Sequence, residues 1–275
     1  MIRLSPNSLA DVRDFLREDI PTNIYLLSML ERAEHTASDS LVLDGEMFGA
    51  PSSRRLQGVA YASRTGLIVL YAINLEVAFA MGDYFRDRII VRMVVGPQEE
   101  TDAFWQGLKS RHEPRLHRIH RLYTLEPHQL AVPSEDAITI ASLDDLESCC
   151  TLGAKMQHEE LGVDPMTINP SRFRKRMEEL IDRQALHILR HKGEIAFQAS
   201  TYSTCVDGVQ VEGVFTPPAI RRRGFALRGM AAMCVSLFER FPRITLHVNE
   251  ENEGALRLYD RLGFVHYTTF RLIGF

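Results

Sequence analysis

The 275-residue sequence has few cysteines: Cys149, Cys150, Cys205 and Cys234, with no C-x-x-C pair among them. A disulfide framework in so long a chain requires more cysteines, so we expect reduced thiols and a cytoplasmic location. No apolar run is long enough to cross a membrane, and the first residues lack the apolar core of a signal peptide. These absences predict a soluble protein that does not act on membranes.

An excess of charge of one sign is also missing. The chain has 32 basic and 36 acidic residues, a formal net charge of -4 that does not favour nucleic acid as a partner. The P-loop, the G-x-S-x-G elbow of hydrolases and the zinc motif H-E-x-x-H are absent as well. His117 and His120 lie in a basic stretch with interleaved apolar residues, which favours a solvated strand edge over a metal site. We therefore expect no metal.

Residues 211–226, V-E-G-V-F-T-P-P-A-I-R-R-R-G-F-A, carry the clearest local signal. Val211, Val214 and Phe215 suit a half-buried strand, and the two prolines that follow cannot continue it. Beyond the basic turn, apolar residues recur at spacings of three and four, which predicts an amphipathic helix. The first N–H groups of such a helix, beside three arginines and with Gly224 allowing close approach, predict an anion-binding site.

The same turn resembles the pyrophosphate-binding signature R/Q-x-x-G-x-G/A of the GNAT acetyltransferases, through Arg221, Gly224 and Ala226. Further on, residues 252–264, N-E-G-A-L-R-L-Y-D-R-L-G-F, resemble the N-x-x-A-x-x-x-Y…L-G-F segment of that family. The resemblance covers about residues 136–275. It implies an acyltransferase enzyme with acetyl-coenzyme A as its cofactor.

The resemblance also implies which residues hold that cofactor. The strand over residues 209–215 would offer backbone groups to the pantetheine arm, and the basic turn would hold the pyrophosphate. Arg222 departs from the small residue common in the family, although its N–H group is retained. The predicted cofactor-binding residues are Val214, Phe215, Thr216, Arg221, Arg222, Arg223, Gly224, Phe225, Ala226, Asn252 and Ala255.

Two residues are candidates for catalysis. Tyr259 matches the family tyrosine that protonates the departing thiolate, although a tyrosine packed in a helix is the plain structural alternative. Glu212, on the strand before the turn, is a candidate base for the amine, and a solvent-facing residue is its alternative. Asn252 would cap a helix as well as bond the cofactor.

His158, Glu159 and Glu160 end a predicted helix where the family places groups that bind the acceptor. An acidic pair suits a cationic amine, whereas a solvated helix end is the simpler interpretation. The acceptor would be a small-molecule or peptide amine.

The chain divides into two halves of similar pattern, which predicts an α/β protein with mixed sheets and two GNAT-like acyltransferase folds in tandem. Residues 1–125 would form a diverged half without the coenzyme A motif, 126–136 a linker, and 137–275 the acetyltransferase domain. Three further matches to tandem proteins of the family are D-x-x-x-N at 19–23, M-x-x-E-E-x-G-V-x-P at 156–165 and G-V-F-T-P-P at 213–218.

Within this plan, the predicted strands are residues 2–5, 41–43, 58–63, 67–72, 88–95, 121–125, 138–140, 186–190, 195–201, 209–215, 244–248 and 265–272. The predicted helices are 9–16, 24–30, 75–86, 98–112, 143–160, 171–183, the one that follows the basic turn to about 240, and 252–262. We expect residues 45–55 to form a loop. The last strand should run antiparallel, since Gly263 is too short a link for a parallel pair.

The function that this pattern indicates is transfer of acetyl from acetyl-coenzyme A to a primary amine. Two alternatives from other classes stay open: a non-catalytic sensor of acyl-coenzyme A, and a tandem acyl or aminoacyl transferase that uses another donor.

Overall fold

The computed structural model of the protein describes residues 1–34, 42, 44–52, 55–110, 113–134 and 136–275. Its contacts divide the chain into two compact units. Unit 1 comprises Met1–Tyr123, His247–Glu253 and His266–Phe275, and unit 2 comprises Thr124–Leu246 and Gly254–Val265. In the ranges given above, no helix is long and apolar enough to cross a membrane.

The elements of the first half follow the predicted order. They are β1 (Ile2–Arg3), α1 (Leu9–Arg17), α2 (Ile20–Glu34), β2 (Gly45–Pro51), β3 (Leu56–Ser63), β4 (Leu67–Ala72), α3 (Leu75–Phe85), β5 (Met93–Pro97), α4 (Gln98–Leu108) and β6 (Leu116–Leu125).

The second half repeats this order and adds one short helix. Its elements are β7 (Thr139–Ile140), α5 (Leu146–Leu161), α6 (Pro165–Ile168), α7 (Pro170–Asp182), β8 (Leu186–His191), β9 (Glu194–Cys205), β10 (Gly208–Phe215), α8 (Phe225–Phe238), β11 (Ile244–Asn249), α9 (Glu253–Leu262) and β12 (Val265–Gly274). Both halves combine helices with sheets that mix parallel and antiparallel pairs, so the predicted α/β class is confirmed.

In unit 1 the strands follow the spatial order β1-β2-β3-β4-β5-β12-β6. Helices α3 and α4 cover the sheet, and side chains such as Met81, Phe85 and Phe104 meet Ile68 and Leu70 in the core. Complete burial of such side chains removes their apolar surface from water, at about 25 cal/mol per Å². This apolar layer holds α3 and α4 against the strands β4 and β5.

Unit 2 has the strand order β11-β10-β9-β8-β7. Helices α5 and α7 pack over this sheet, where Phe173 and Met177 meet Ile188 and Phe215. Helix α8 lies against β8, β9 and β10, and it approaches closely because Gly229 faces the ring of Phe197. The packing holds the start of α8 next to the end of β10.

Each unit contains one parallel pair of strands that separates part-way along. In unit 1, β4 pairs with β5 over Leu67–Val69, and that pairing then stops, while β12 pairs with the other edge of β5 along its whole length. In unit 2, β10 pairs with β11 over Val209–Val211, and the pairing then stops. The same opening in both units agrees with two GNAT-like halves.

Three predictions from the sequence are corrected. Within the predicted loop at 45–55, Gly45–Pro51 instead forms β2, paired with β1 on one side and β3 on the other, and residues 53–54 lie outside the described residues. The predicted strand at 88–95 begins only at Met93 and extends to Pro97. Between the helices predicted at 143–160 and 171–183, the structure has the short helix α6, which was not predicted. Of the predicted strand at 41–43, only Val42 lies within the described residues.

The last strand is antiparallel, as predicted, but it lies in unit 1. β12 pairs with β5 from Phe270 opposite Pro97 to Gly274 opposite Met93. Part of residues 137–275 therefore packs in unit 1. The predicted domain boundaries, with a linker at 126–136, stay a prediction.

Candidate functional site

Strand β10 is irregular at the point where it leaves β11. Its pairing with β9 passes from Gln210 opposite Ser203 to Glu212 opposite Ser200 and then to Phe215 opposite Gln198, with two shifts of register. Gly213 has φ +64°, a left-handed conformation that suits glycine. A strand that bulges and separates from its neighbour exposes backbone groups to a ligand, and these are the groups predicted to hold pantetheine.

The basic turn opens directly onto the first turn of α8. Gly224, with φ +85°, precedes Phe225, and the first helical bond runs from the Arg228 N–H to the Gly224 carbonyl at 3.0 Å. Among the described residues, the N–H groups of residues 225–227 donate no backbone hydrogen bond. A side chain at Gly224 would meet no atom within 4 Å, so the space before these donors is open. Free N–H groups at the positive end of a helix form an anion site.

The three arginines of the turn have different environments. Arg221 folds back onto β10, where Nε donates to the Thr216 carbonyl at 2.9 Å and the guanidinium lies 5.2 Å from the Phe215 ring. Its Nη2 donates to Glu159 Oε2 at 2.6 Å. Arg222 and Arg223 are exposed. Arg221, predicted to hold pyrophosphate, is thus already bound to protein groups, and the positive charge at the opening comes from the other two.

Tyr259 is 5 % exposed and packs edge-to-face against Phe264, with ring centroids 5.6 Å apart. Burial raises the pKa of its phenol above the ordinary value, and the nearby Glu160 and Cys234 raise it further. The phenol therefore keeps its proton across the physiological range. The structure shows a packed helix tyrosine, and its role as a proton donor stays a prediction.

Glu212 is half-buried and accepts two hydrogen bonds, from Gln210 Nε2 at 3.0 Å and from Ser203 Oγ at 3.4 Å. Burial raises the pKa of its carboxyl, while attraction to Arg176 and the two hydrogen bonds act in the opposite direction. The carboxylate thus has protein partners on β9 and β10, and its role as a base stays a prediction. A raised pKa brings a carboxylate closer to neutral pH, where a general base works best.

The three predicted acceptor-binding residues lie exposed in the last turn of α5, which Gly162 ends in a left-handed conformation. Glu159 is the partner of Arg221, whereas the charge of Glu160 acts on Tyr259. The end of α5 thus forms an ion pair with the basic turn and places a negative charge near the tyrosine. The sequence motifs assign these residues to separate sites.

The remaining cofactor candidates lie around α9. Ala255 is half-buried on that helix, and Asn252 is exposed just before it, with its N–H group donating to the Asn249 carbonyl at 2.9 Å. Asn252 belongs to the stretch His247–Glu253 of unit 1. Its predicted bond to the cofactor stays a prediction.

Sequence reasoning missed Gln210, Ser203 and Arg176, the groups that surround Glu212. Gln210 and Glu212 are two residues apart on one strand, a spacing that places both on the same face. The contact between them could therefore have been predicted from the sequence. The other two come from β9 and α7, and local patterns do not reveal such contacts.

Several features fit a cofactor with a pyrophosphate and a polar arm. The opening has free N–H groups, unfilled space at Gly224 and two exposed arginines. In addition, the buried hydroxyl of Thr216 has no hydrogen-bond partner within the described ranges. The residues present therefore suit coenzyme A.

Comparisons with known proteins agree with this geometry. Residues 201–272 match a family model described as FR47-like protein. Over 100 % of both chains, the structure is similar to an acetyltransferase of the GNAT family from Colwellia psychrerythraea, with a TM-score of 0.60 and 13 % identity. The chain has the GNAT acetyltransferase fold. The family resemblance predicted from the sequence is thereby confirmed.

Two other solved structures are similar over nearly the whole chain, and one of them is a tandem GNAT protein. A Drosophila protein gives a TM-score of 0.70 at 12 % identity and covers 100 % of this chain and 98 % of its own. A tandem GNAT protein from the clavulanic acid biosynthesis pathway gives 0.59 at 10 % identity, with 99 % and 96 % covered. The comparison with curated proteins gives no match.

Proposed function

We propose that the protein is an N-acetyltransferase that moves an acetyl group from acetyl-coenzyme A to a primary amine. The observation that carries this proposal is the open first turn of α8, which follows directly on the separated strand β10. Two groups that can exchange protons, Glu212 on β10 and Tyr259 on α9, also support it, and burial raises the pKa of each.

Acetyl-coenzyme A would supply an acetyl thioester. The N–H groups of residues 225–227, with Arg222 and Arg223, would hold its pyrophosphate. Backbone groups of residues 214–216 would bind the pantetheine arm and polarise the thioester carbonyl. Most of the rate enhancement would come from holding the amine against this carbonyl.

Glu212 would accept a proton from the amine, directly or through a water molecule, as nitrogen bonds to the acetyl carbon. Tyr259 would donate its phenolic proton to sulfur as the carbon–sulfur bond breaks. Because the ordinary pKa of a thiol, about 8.5, lies below that of a phenol, full transfer to a free thiolate is uphill, and Tyr259 would act by sharing its proton with the negative charge that develops on sulfur. Glu160 would attract a cationic acceptor to the end of α5.

The four cysteines are buried and free, which supports a cytoplasmic location for the enzyme.

Thiol release from acetyl-coenzyme A, measured across a panel of small-molecule and peptide amines, tests this function. An aminoacyl donor should be assayed in parallel. We expect acceptor-dependent thiol release with acetyl-coenzyme A. Tight binding without turnover for any amine would instead identify a sensor, and turnover with the aminoacyl donor alone would identify a transferase of the other class.

A further inference from the structure

The carboxylate of Glu212 is bound to the protein through one of its two oxygens. Gln210 Nε2 donates to Oε1 at 3.0 Å, and Ser203 Oγ donates to the same oxygen at 3.4 Å. Within the described part of the chain, Oε2 accepts no hydrogen bond. Each carboxylate oxygen can accept on its own, so the fixed oxygen determines the orientation of the group while the other oxygen stays available.

The pairing of β9 with β10 brings the two donors to this oxygen. Gln210 lies opposite Ser203, so both side chains stand on one face of the sheet, and Glu212 follows two residues later on that face. Glu212 lies opposite Ser200, so that residues 201 and 202 of β9 stand against residue 211 alone. Such bulges redirect side chains and are common beside active sites.

Gln210 lies outside the part of β10 that would hold the cofactor. It is opposite Thr245 in β11, where the two strands are still paired, and it precedes the residues 214–216 assigned to the pantetheine arm. The side chain is 9 % exposed, and a buried side chain in a paired strand keeps one orientation. A role of Gln210 therefore concerns Glu212 and not the acyl donor.

Burial raises the pKa of Glu212, and three groups act in the opposite direction: Arg176, Gln210 and Ser203. Helices α5 and α7 pack over this sheet, and among the described residues the charged group that acts on Glu212 is Arg176 of α7. Arg176 is exposed, so water and salt screen its attraction. Ser203 is 1 % exposed, and its bond, like that of Gln210, is made inside the protein.

We propose that Gln210, assisted by Ser203, is a positioning residue that holds Oε1 of Glu212 and leaves Oε2 to take the proton of the acceptor amine. The inference rests on the proposed function, in which Glu212 is the base. It assigns a role to two side chains that touch neither the cofactor nor the acceptor. Both would act only through the carboxylate.

Replacing Gln210 by methionine removes the donor and keeps a side chain of similar shape. Since the lost bond stabilises the ionised carboxylate, the midpoint of the acidic limb of kcat/KM should move up by about one pH unit. At pH values above this limb, kcat should still fall about tenfold, because the carboxylate is no longer held in one orientation. The KM for acetyl-coenzyme A should stay within about twofold of the wild-type value. Ser203→Ala should change the limb and kcat in the same direction but less, because its bond is longer.

A double-mutant cycle tests whether Gln210 acts through Glu212. In a Glu212→Gln background the base is absent, so Gln210→Met should lower kcat by less than about twofold. Gln198→Met is the matched control, since Gln198 is 3 % exposed on β9 and makes no hydrogen bond to Glu212 among the described residues. This control should leave the acidic limb at its wild-type position.

An equal loss of kcat from Gln210→Met in both backgrounds would show a purely structural role and overturn the proposal. An acidic limb that Gln210→Met leaves in place would overturn it as well. If Gln210→Met does not fold, Ser203→Ala decides in the same way, because a limb that it leaves unmoved contradicts the shared hold on Oε1. Wild-type turnover by Glu212→Gln would instead show that Glu212 is not the base, and a wild-type protein without turnover would show that the proposed function itself is wrong.

Discussion

The pair between Arg221 and Glu159 gives a quantitative prediction, because the two sequence motifs assign its members to different ligands. Arg221 belongs to the turn for pyrophosphate, and Glu159 to the acceptor end of α5. In the structure they bind each other at 2.6 Å, with side chains 42 % and 41 % exposed. A pyrophosphate at the turn therefore competes with Glu159 for the guanidinium.

Replacing Glu159 by glutamine removes this competitor. Exposed ion pairs contribute about 0–1 kcal/mol, which corresponds to a factor of up to about five in an equilibrium constant. We expect Glu159→Gln to lower the Kd for coenzyme A about two- to fivefold. If the carboxylate also attracts the amine, the KM for a cationic acceptor should rise.

Isothermal titration calorimetry at low and high salt measures the effect, which should shrink with salt because exposed charges are screened. Glu178→Gln is the matched control, since it breaks an exposed pair with Arg174 on α7 and should not change the Kd. Weaker binding of coenzyme A by Glu159→Gln would refute the reasoning. It would mean that Glu159 holds Arg221 in place for the ligand.

Three other variants test the site. Gly224→Asp should raise the Kd for coenzyme A at least about tenfold, because the residue has a left-handed φ and the new side chain is negatively charged. Comparison with Gly224→Asn isolates the contribution of the charge. Unchanged affinity of Gly224→Asp in calorimetry would show that the pyrophosphate does not bind at this turn. Tyr259→Phe should lower kcat about tenfold to a thousandfold with little change in cofactor affinity. Wild-type turnover by this variant would show that Tyr259 has only a structural role. As pH falls, kcat/KM should decline through a pKa above the ordinary value of a glutamate, because Glu212 must be ionised to act as base and burial raises its pKa. Glu212→Gln should abolish this acidic limb, and an unchanged profile would exclude Glu212 as the base.

Much of the fold was predictable because most elements have strong periodicity of their own. Strand β2 was missed, since two glycines and a proline read as a loop, yet pairing on both sides stabilises it. Strand β5 was placed too early because Ile89, Ile90 and Val91 look like a strand, although Ile90 is 78 % exposed. In both cases, pairing with neighbouring strands determines which residues form a strand, rather than local propensity.

The site shows the same limit. The turn, the helix start and the position of Tyr259 were predictable, since each depends on residues close in sequence. The bond from Arg221 to Glu159 joins residues 62 positions apart, and Arg176 approaches Glu212 from another helix. The pairing of β12 with β5 is also a choice among distant partners, and no local pattern determines it.

The opening between β4 and β5 in unit 1 bears on how many cofactors one chain holds. Helix α3 follows β4 as α8 follows β10, but it starts differently. The side chain of Asn74 accepts the Val77 N–H at 2.9 Å, so one of the donors that a phosphate would use is already bonded. Glu76 adds a negative charge to the same first turn.

A cavity of about 740 Å³ lies at this opening, and its charged lining is mostly acidic: Glu18, Asp19, Glu99, Glu100 and Arg55. The single arginine is paired with Glu18 at 3.2 Å. Burial raises the pKa of Tyr71 to about 12, and the negative charges of Asp19 and Glu18 add to the shift. The phosphates of coenzyme A would be repelled here, whereas the turn at Gly224 would attract them. We therefore predict one coenzyme A per chain in calorimetry and native mass spectrometry, with Gly224→Asp raising the Kd of that single site at least about tenfold. Two cofactors per chain, or one that binds Gly224→Asp as tightly as the wild type, would show that the first half has kept a cofactor site.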